Sequence, residues 1–194
     1  MSPFSFSHDS LAAGCDEAGR GALVGVVVAA ALLLPPTYNL KGLNDSKQLS
    51  PRKRSFLLAK IKQVALGWGI GEATPREIAQ YNILQATFLA MHRAIAQLLT
   101  KCRPNKILVD GNNFLSYPNL PHQCVVGGDQ QVASIAGASI LAKTHRDGLL
   151  SRLADHYPGY GWEHNKGYPT KSHRQAIAAL GLTPHHRKTF KGCQ

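Results

Sequence analysis

Acidic residues are scarce in this sequence. Asp and Glu total 11 against 22 Lys and Arg, which leaves a formal charge of +11 at neutral pH. A soluble protein this basic commonly meets a polyanion, nucleic acid foremost, although a basic surface also serves solubility. Cysteine is sparse too: Cys15, Cys102, Cys124 and Cys193 form no C-x-x-C pair, which argues against a zinc site. Nothing in their placement suggests a disulfide framework, so reduced thiols in a cytoplasm are the expectation. The longest apolar run, residues 22–34, is interrupted by Gly25 and falls short of the roughly 20 residues a membrane helix needs. Residues 1–13 lack a basic segment followed by a long apolar one, so no signal peptide and no membrane are expected. No G-x-x-x-x-G-K-[ST] occurs, which excludes a P-loop, and no G-x-S-x-G marks a nucleophile elbow. Gly19-x-Gly21 misses the dinucleotide fingerprint, because Val24 stands where its third glycine belongs.

What is present suits an α/β domain. With 194 residues and 44% hydrophobic content the chain can bury a full core. One domain over residues 1–194 is expected, with a small helical and tail segment from about residue 157. Residues 11–15 and 23–34 read as strands joined at the Gly19-Arg20-Gly21 turn, a hairpin. Ser50-Pro51 starts a helix to about Leu66, with Ser as N-cap and Pro in the first turn. Residues 67–71 read as a third strand. Thr74 and Glu77 have capping-box spacing, and Leu84, Phe88, Met91, Ile95 and Leu98 then recur at helical steps. Strands at 106–109 and 123–126 precede a helix over 132–156, whose first half is crowded with small residues suited to lying close on a sheet. Residues 157–170 read as a loop rich in glycine and aromatics, 172–180 as a last helix, and 183–194 as a basic, solvated tail. This order predicts a mixed sheet, antiparallel in its first half.

The most informative stretch is Gly14-Cys15-Asp16-Glu17-Ala18-Gly19-Arg20-Gly21. Two carboxylates in an apolar strand context can hold a hard divalent cation, and buried acids need such a partner. Glycines let backbone approach a ligand closely, and Arg20 offers a fork of donors suited to phosphate. Asp110 and Asp129 each follow a strand, where α/β sheets tend to place ligands. Either is also an ordinary residue for a turn or helix cap. Brought together, such acids would repel one another until they protonated or bound cations. Asp147 inside a helix suggests a salt bridge, and His185-His186 solvated tail residues. The loop Tyr157-Pro158-Gly159-Tyr160-Gly161-Trp162 and onward to Pro169 fits either nucleic-acid stacking or a small core of its own.

These pieces resemble the ribonuclease HII family. The matching segments are Asp16-Glu17-Ala18-Gly19-Arg20-Gly21, Leu43-Asn44-Asp45-Ser46-Lys47, Val109-Asp110-Gly111-Asn112, Ala138-Ser139-Ile140-Leu141-Ala142-Lys143 with Arg146-Asp147, and Lys166-Gly167-Tyr168-Pro169-Thr170 with His173. The resemblance implies a ribonuclease H-like fold: a mixed five-stranded sheet flanked by helices, with a small helical C-terminal part. It implies cleavage of the RNA strand of RNA–DNA hybrids and at ribonucleotides embedded in duplex DNA, with Mg²⁺ or Mn²⁺. The family's four carboxylates fall on Asp16, Glu17, Asp110 and Asp129, its junction-sensing motif on Gly19, Arg20 and Gly21, and its sugar-contacting tyrosine on Tyr168. Gly127 stands where the family often has Lys, and Thr144 and His145 replace the commoner Thr and Val.

The expected chemistry is two-metal hydrolysis leaving 3′-hydroxyl and 5′-phosphate ends, with Lys47, Lys143, Arg146 and Lys166 as phosphate contacts in a monomer. Two other readings compete: a non-catalytic basic nucleic-acid binder, and a small-molecule phosphohydrolase using the same acids.

Overall fold

The computed structural model describes residues 11–40, 42–43, 46 and 49–193. Lys47, one of the expected phosphate contacts, lies outside them. The run Val-Val-Ala-Ala-Ala-Leu-Leu forms β2 (Val27–Leu33), and every residue of it is buried. Such a strand is covered on both faces, which is why it reads as continuously apolar rather than alternating. β1 (Ala12–Ala18) and β3 (Gly67–Ala73) flank it, both antiparallel to it. β4 (Lys106–Asp110) pairs parallel with the other edge of β1, and β5 (His122–Val125) parallel with β4. The order β3-β2-β1-β4-β5 is the expected mixed five-stranded sheet, antiparallel in its first half.

Helices cover both faces. α1 (Pro51–Val64) has Ser50 as N-cap, accepting from the Lys53 amide. α2 (Pro75–Leu99) opens with the Thr74–Glu77 capping box and buries Phe88, Met91, Ile95 and Leu98 against Ala29, Ala31 and Leu33. It is kinked at Asn82 (φ 66°), whose Oδ1 accepts from the amides of Leu84 and Gln85 and so restarts the helix. After a short turn of helix, α3 (Gly128–Gln131), comes α4 (Ala133–His156) on the other face, against Val28, Ala30 and Leu32. The small residues of α4 act as expected. A Cβ on Gly14 would lie 2.1 Å from the Ser134 carbonyl carbon, so helix and β1 touch backbone to backbone.

α4 runs beside β1 in the same direction. Ser134 meets Gly14, Ser139 bonds Asp16, and Arg146 meets Gly19. Strands rise about 3.3 Å and helices 1.5 Å per residue, so two strand steps match about four to five helix residues. That match sets Ser139, in the first half of α4, at Asp16 and carries Arg146, in its second half, to the turn after β1.

The C-terminal part departs from expectation. α5 (Trp162–Asn165) and α6 (Lys171–Leu180) frame a third small core of Leu23, Val24, Leu150, Tyr160, Trp162 and Cys193. The aromatic loop is therefore a minicore. Residues 183–193 are not a solvated tail: His186 bridges to Val24, and His186, Arg187 and Cys193 are buried. For the same reason β2 begins at Val27 rather than at residue 23. Residues 23–25 direct their backbone bonds to Gly167, His185 and Arg187 instead of to the sheet.

Candidate active site

The parallel register of β1 and β4 sets Cys15 opposite Val109, which brings Asp16 and Asp110 level at the same end of two adjacent strands. Asp16 is buried on the α4 face of β1, and its carboxylate accepts from the Glu17 amide (2.7 Å) and bonds Ser139. Ser139 Oγ lies in turn 2.7 Å from Ser46 Oγ, both buried. A chain of hydroxyls therefore ties Asp16 to Ser46. Asp110 Oδ1 accepts from the Gly128 amide (2.8 Å), and that bond brings α3, with buried Asp129 in its first turn, up against the end of β4. Asp129 is thus part of α3 and does not cap α4, whose N-cap is Val132. Gly127, in place of the family's usual Lys, has φ +64° at the α3 N-cap.

Burial pushes the Asp16 carboxyl well above the usual carboxylate range, and the like charges of Glu17 and Asp110 push it further. The hydrogen bonds from Ser139 and the Glu17 amide oppose this without cancelling it. Repelling buried carboxylates are relieved by protons or by a hard cation bound through oxygen. Asp16 and Asp110 therefore suit a hard cation, although among the described residues no group of three or more His, Cys, Asp or Glu side chains is placed to hold a metal ion.

Beside the acids lies a cleft of about 1040 Å³ lined by Glu17, Gly19, Arg20, Gly21, Lys143, Lys166 and Tyr168 among others. Arg20 is half-exposed and donates to Glu17 at 3.2 Å. Such a surface pair is weak, so the guanidinium is available to an incoming phosphate. Lys143 donates to Asp147 (2.7 Å), which also pairs with Arg54 (3.5 Å), the expected salt bridge for Asp147. Tyr168 is flanked by the Lys143 ammonium and the Arg146 guanidinium, 5.6 and 5.3 Å from its ring centroid. Its backbone is held from below. Trp162 donates to His173 Nε2 (2.9 Å), which leaves the ring proton on Nδ1 to donate to the Tyr168 carbonyl (3.0 Å).

Arg146 corrects an expectation. It is fully buried and does not line the cleft; its three nitrogens donate to the carbonyls of Val26, Lys166 and Val24. It holds the backbone of Lys166, which lines the cleft, and, being fully buried, is not placed to contact phosphate. Ser139 and Arg187 escaped the sequence reading, the first inside a row of small packing residues and the second inside a segment read as solvated.

Comparisons with known proteins give the family. The family model for ribonuclease HII matches residues 13–193. The chain belongs to the ribonuclease HII family. It is 57% identical to the ribonuclease HII of Parabacteroides distasonis over 92% of this chain and 88% of that one. It is 55% identical to the ribonuclease HII of Porphyromonas gingivalis over the same shares. Its fold matches ribonuclease H2 from Pyrococcus horikoshii OT3 with a TM-score of 0.76 and 26% identity, covering 94% of each chain. It is a metal-dependent endoribonuclease of RNA–DNA hybrids. The binder and phosphohydrolase readings are set aside. Among the described residues no helix is long and apolar enough to cross a membrane.

Proposed function

We propose that Asp16, Glu17, Asp110 and Asp129 hold Mg²⁺ or Mn²⁺, and that the enzyme cuts at single ribonucleotides in duplex DNA as well as in long hybrids. The observation that carries this reading is that Asp16 and Asp110 follow a paired position on adjacent strands and lie close enough to repel, with a cleft lined by Glu17, Arg20, Lys143 and Lys166 beside them. When bound, the cations supply an activated water and stabilise charge on the leaving oxygen.

The chain's own groups do the rest. Lys143 and Lys166 neutralise phosphates along the cleft, with Lys47 a further candidate. Substrate selection needs the 2′-hydroxyl, the atom that distinguishes RNA from DNA. The backbone of Gly19-Arg20-Gly21 meets it. A Cβ on Gly21 would touch nothing within 4 Å in the free protein, so that side of the turn is open for close approach. Tyr168 stacks on the neighbouring deoxyribose. The enzyme acts as a monomer, one domain throughout.

The test is a labelled duplex carrying one ribonucleotide, incubated with Mg²⁺ or Mn²⁺ and with EDTA as control. Metal-dependent cleavage at the ribonucleotide is expected. Gly21→Ala should fold normally yet lose about tenfold or more in kcat/KM on this duplex, because the added methyl meets only substrate. No cleavage by the native enzyme, or full activity in the variant, would overturn the corresponding part.

A further inference from the structure

The segment 183–193 closes over the turn that follows β1. The Arg187 amide donates to the Leu23 carbonyl (2.8 Å) and the Gly25 amide to the His185 carbonyl (2.9 Å). The Arg187 guanidinium then passes under the turn. Nη1 donates to the carbonyls of Gly19 (2.7 Å) and Arg20 (3.0 Å), and Nε to that of Gly25 (2.9 Å). The group is buried, and Nη2 has no hydrogen-bond partner among the described residues. Burial, and then the neighbouring Arg146, pull its pKa down to about 9. A buried cation with an incomplete set of partners is costly, more than a packing role requires.

The planar trans peptide shows what the arrangement does. The carbonyl of one residue and the amide of the next share a rigid plane and point in opposite directions. Holding the Gly19 carbonyl aims the Arg20 N–H away from Arg187, and holding the Arg20 carbonyl does the same for the Gly21 N–H. The Ala22 amide also donates to the Gly19 carbonyl (3.3 Å), but one guanidinium alone spans both carbonyls and so sets two consecutive amides of the motif that lines the cleft.

We propose that Arg187 is a positioning residue for substrate selection, fixing from beneath the edge that the Gly19-Arg20-Gly21 backbone presents to the ribose. The proposal depends on the reading that this backbone meets the 2′-hydroxyl. Lys at 187 would keep the charge but lose the planar fork that spans three carbonyls. A single embedded ribonucleotide offers one 2′-hydroxyl, so a misaimed reader has no alternative register. A long hybrid offers many.

The experiment compares kcat/KM on a duplex with one ribonucleotide and on a long RNA–DNA hybrid for the native enzyme, Arg187→Lys, Gly21→Ala and Cys193→Ala. The last loosens the same segment, since Cys193 packs against Leu23, but leaves the guanidinium in place. For Arg187→Lys the ratio of single-ribonucleotide to hybrid cleavage should fall about tenfold, with Cys193→Ala at the native ratio. A native ratio in Arg187→Lys, or an equal fall in Cys193→Ala, overturns the proposal. If Gly21→Ala lowers the ratio and Arg187→Lys does not, only the role of Arg187 fails; if neither does, the backbone reading fails with it. Should Arg187→Lys not fold, hydrogen exchange on the native enzyme decides. Amides of residues 19–26 and 183–190 should open together, and free exchange in 183–190 with 19–26 still protected would refute the coupling.

Discussion

Gly19 and Arg146 fit together only because Gly19 has no side chain: a Cβ there would lie 2.0 Å from Arg146 Nε. Gly19 also has φ +93°, a conformation that side chains disfavour. The first and third residues of the Gly-Arg-Gly motif therefore do different work. Gly19→Ala is expected to cost about 2–3 kcal/mol of stability through strain and the displaced guanidinium, whereas Gly21→Ala should stay within about 0.5 kcal/mol of native. Denaturant midpoints of the two variants check this, and equal midpoints would contradict it.

Asp16→Asn should abolish turnover, by about a thousandfold or more, while leaving metal-free hybrid binding in place. Its effect on stability has the opposite sign. The Asp16 carboxyl is raised by burial, Glu17 and Asp110 above its ordinary value of 3.8, so its contribution to stability is present at low pH and is lost as pH rises through the folded value. In EDTA at neutral pH, Asp16→Asn should therefore melt higher than the native enzyme, by roughly 2–4 °C for each kcal/mol relieved. The gap should close at acid pH and on adding Mg²⁺. A lower melting temperature for the variant in EDTA at neutral pH would show that the charge is already compensated.

Tyr168 is held by the Trp162–His173 chain below and flanked by two cations. Tyr168→Ala should reduce cleavage at a single ribonucleotide about tenfold, with a smaller effect on long hybrids, and Tyr168→Phe should retain most activity because stacking needs the ring. Equal, small effects on both substrates would remove it from junction sensing.

With a formal charge of +11 and lysines along the cleft, hybrid affinity should fall steeply with salt. Lys143→Ala should weaken binding and reduce the slope of log K against log salt by about one, because one phosphate then goes without its lysine. An unchanged slope would place Lys143 outside the set of phosphate ligands and leave it as the partner of Asp147.

Much of the sheet was legible because its signals are local. The apolar run, the Thr74–Glu77 box and the Ser50-Pro51 start each depend on neighbours within a few residues; the box and the helix start form as read, and the run expected as a strand over residues 23–34 forms one over Val27–Leu33. The acids were legible for a related reason: carboxylates at strand ends stand out in a chain with few of them. Asn82 was not legible as a kink, since its cap geometry competes with an otherwise continuous helical pattern. Residues 23–25 were taken into the second strand because they are apolar. Their burial is real, but their backbone partners are more than 140 residues away in sequence, at Gly167, His185 and Arg187. Arg146 looked like a phosphate ligand because a basic residue beside Asp147 in a family motif suggests a surface role, and only burial revealed the three carbonyls it serves.

Composition, strand and helix periodicity and a few short motifs were enough to specify a mixed α/β sheet, candidate carboxylates on or just after its strands and the chemistry they suit. These depend on side-chain type and on spacings of a few residues, which a linear string carries. The tertiary structure alone decided that Ser139 steadies Asp16, that Arg146 lies under the cleft rather than along it, and that Arg187 reaches the turn at residues 19–20. Those roles depend on which carbonyls a long side chain meets across the fold, and a carbonyl is the same in every residue, so no letter in the sequence marks it.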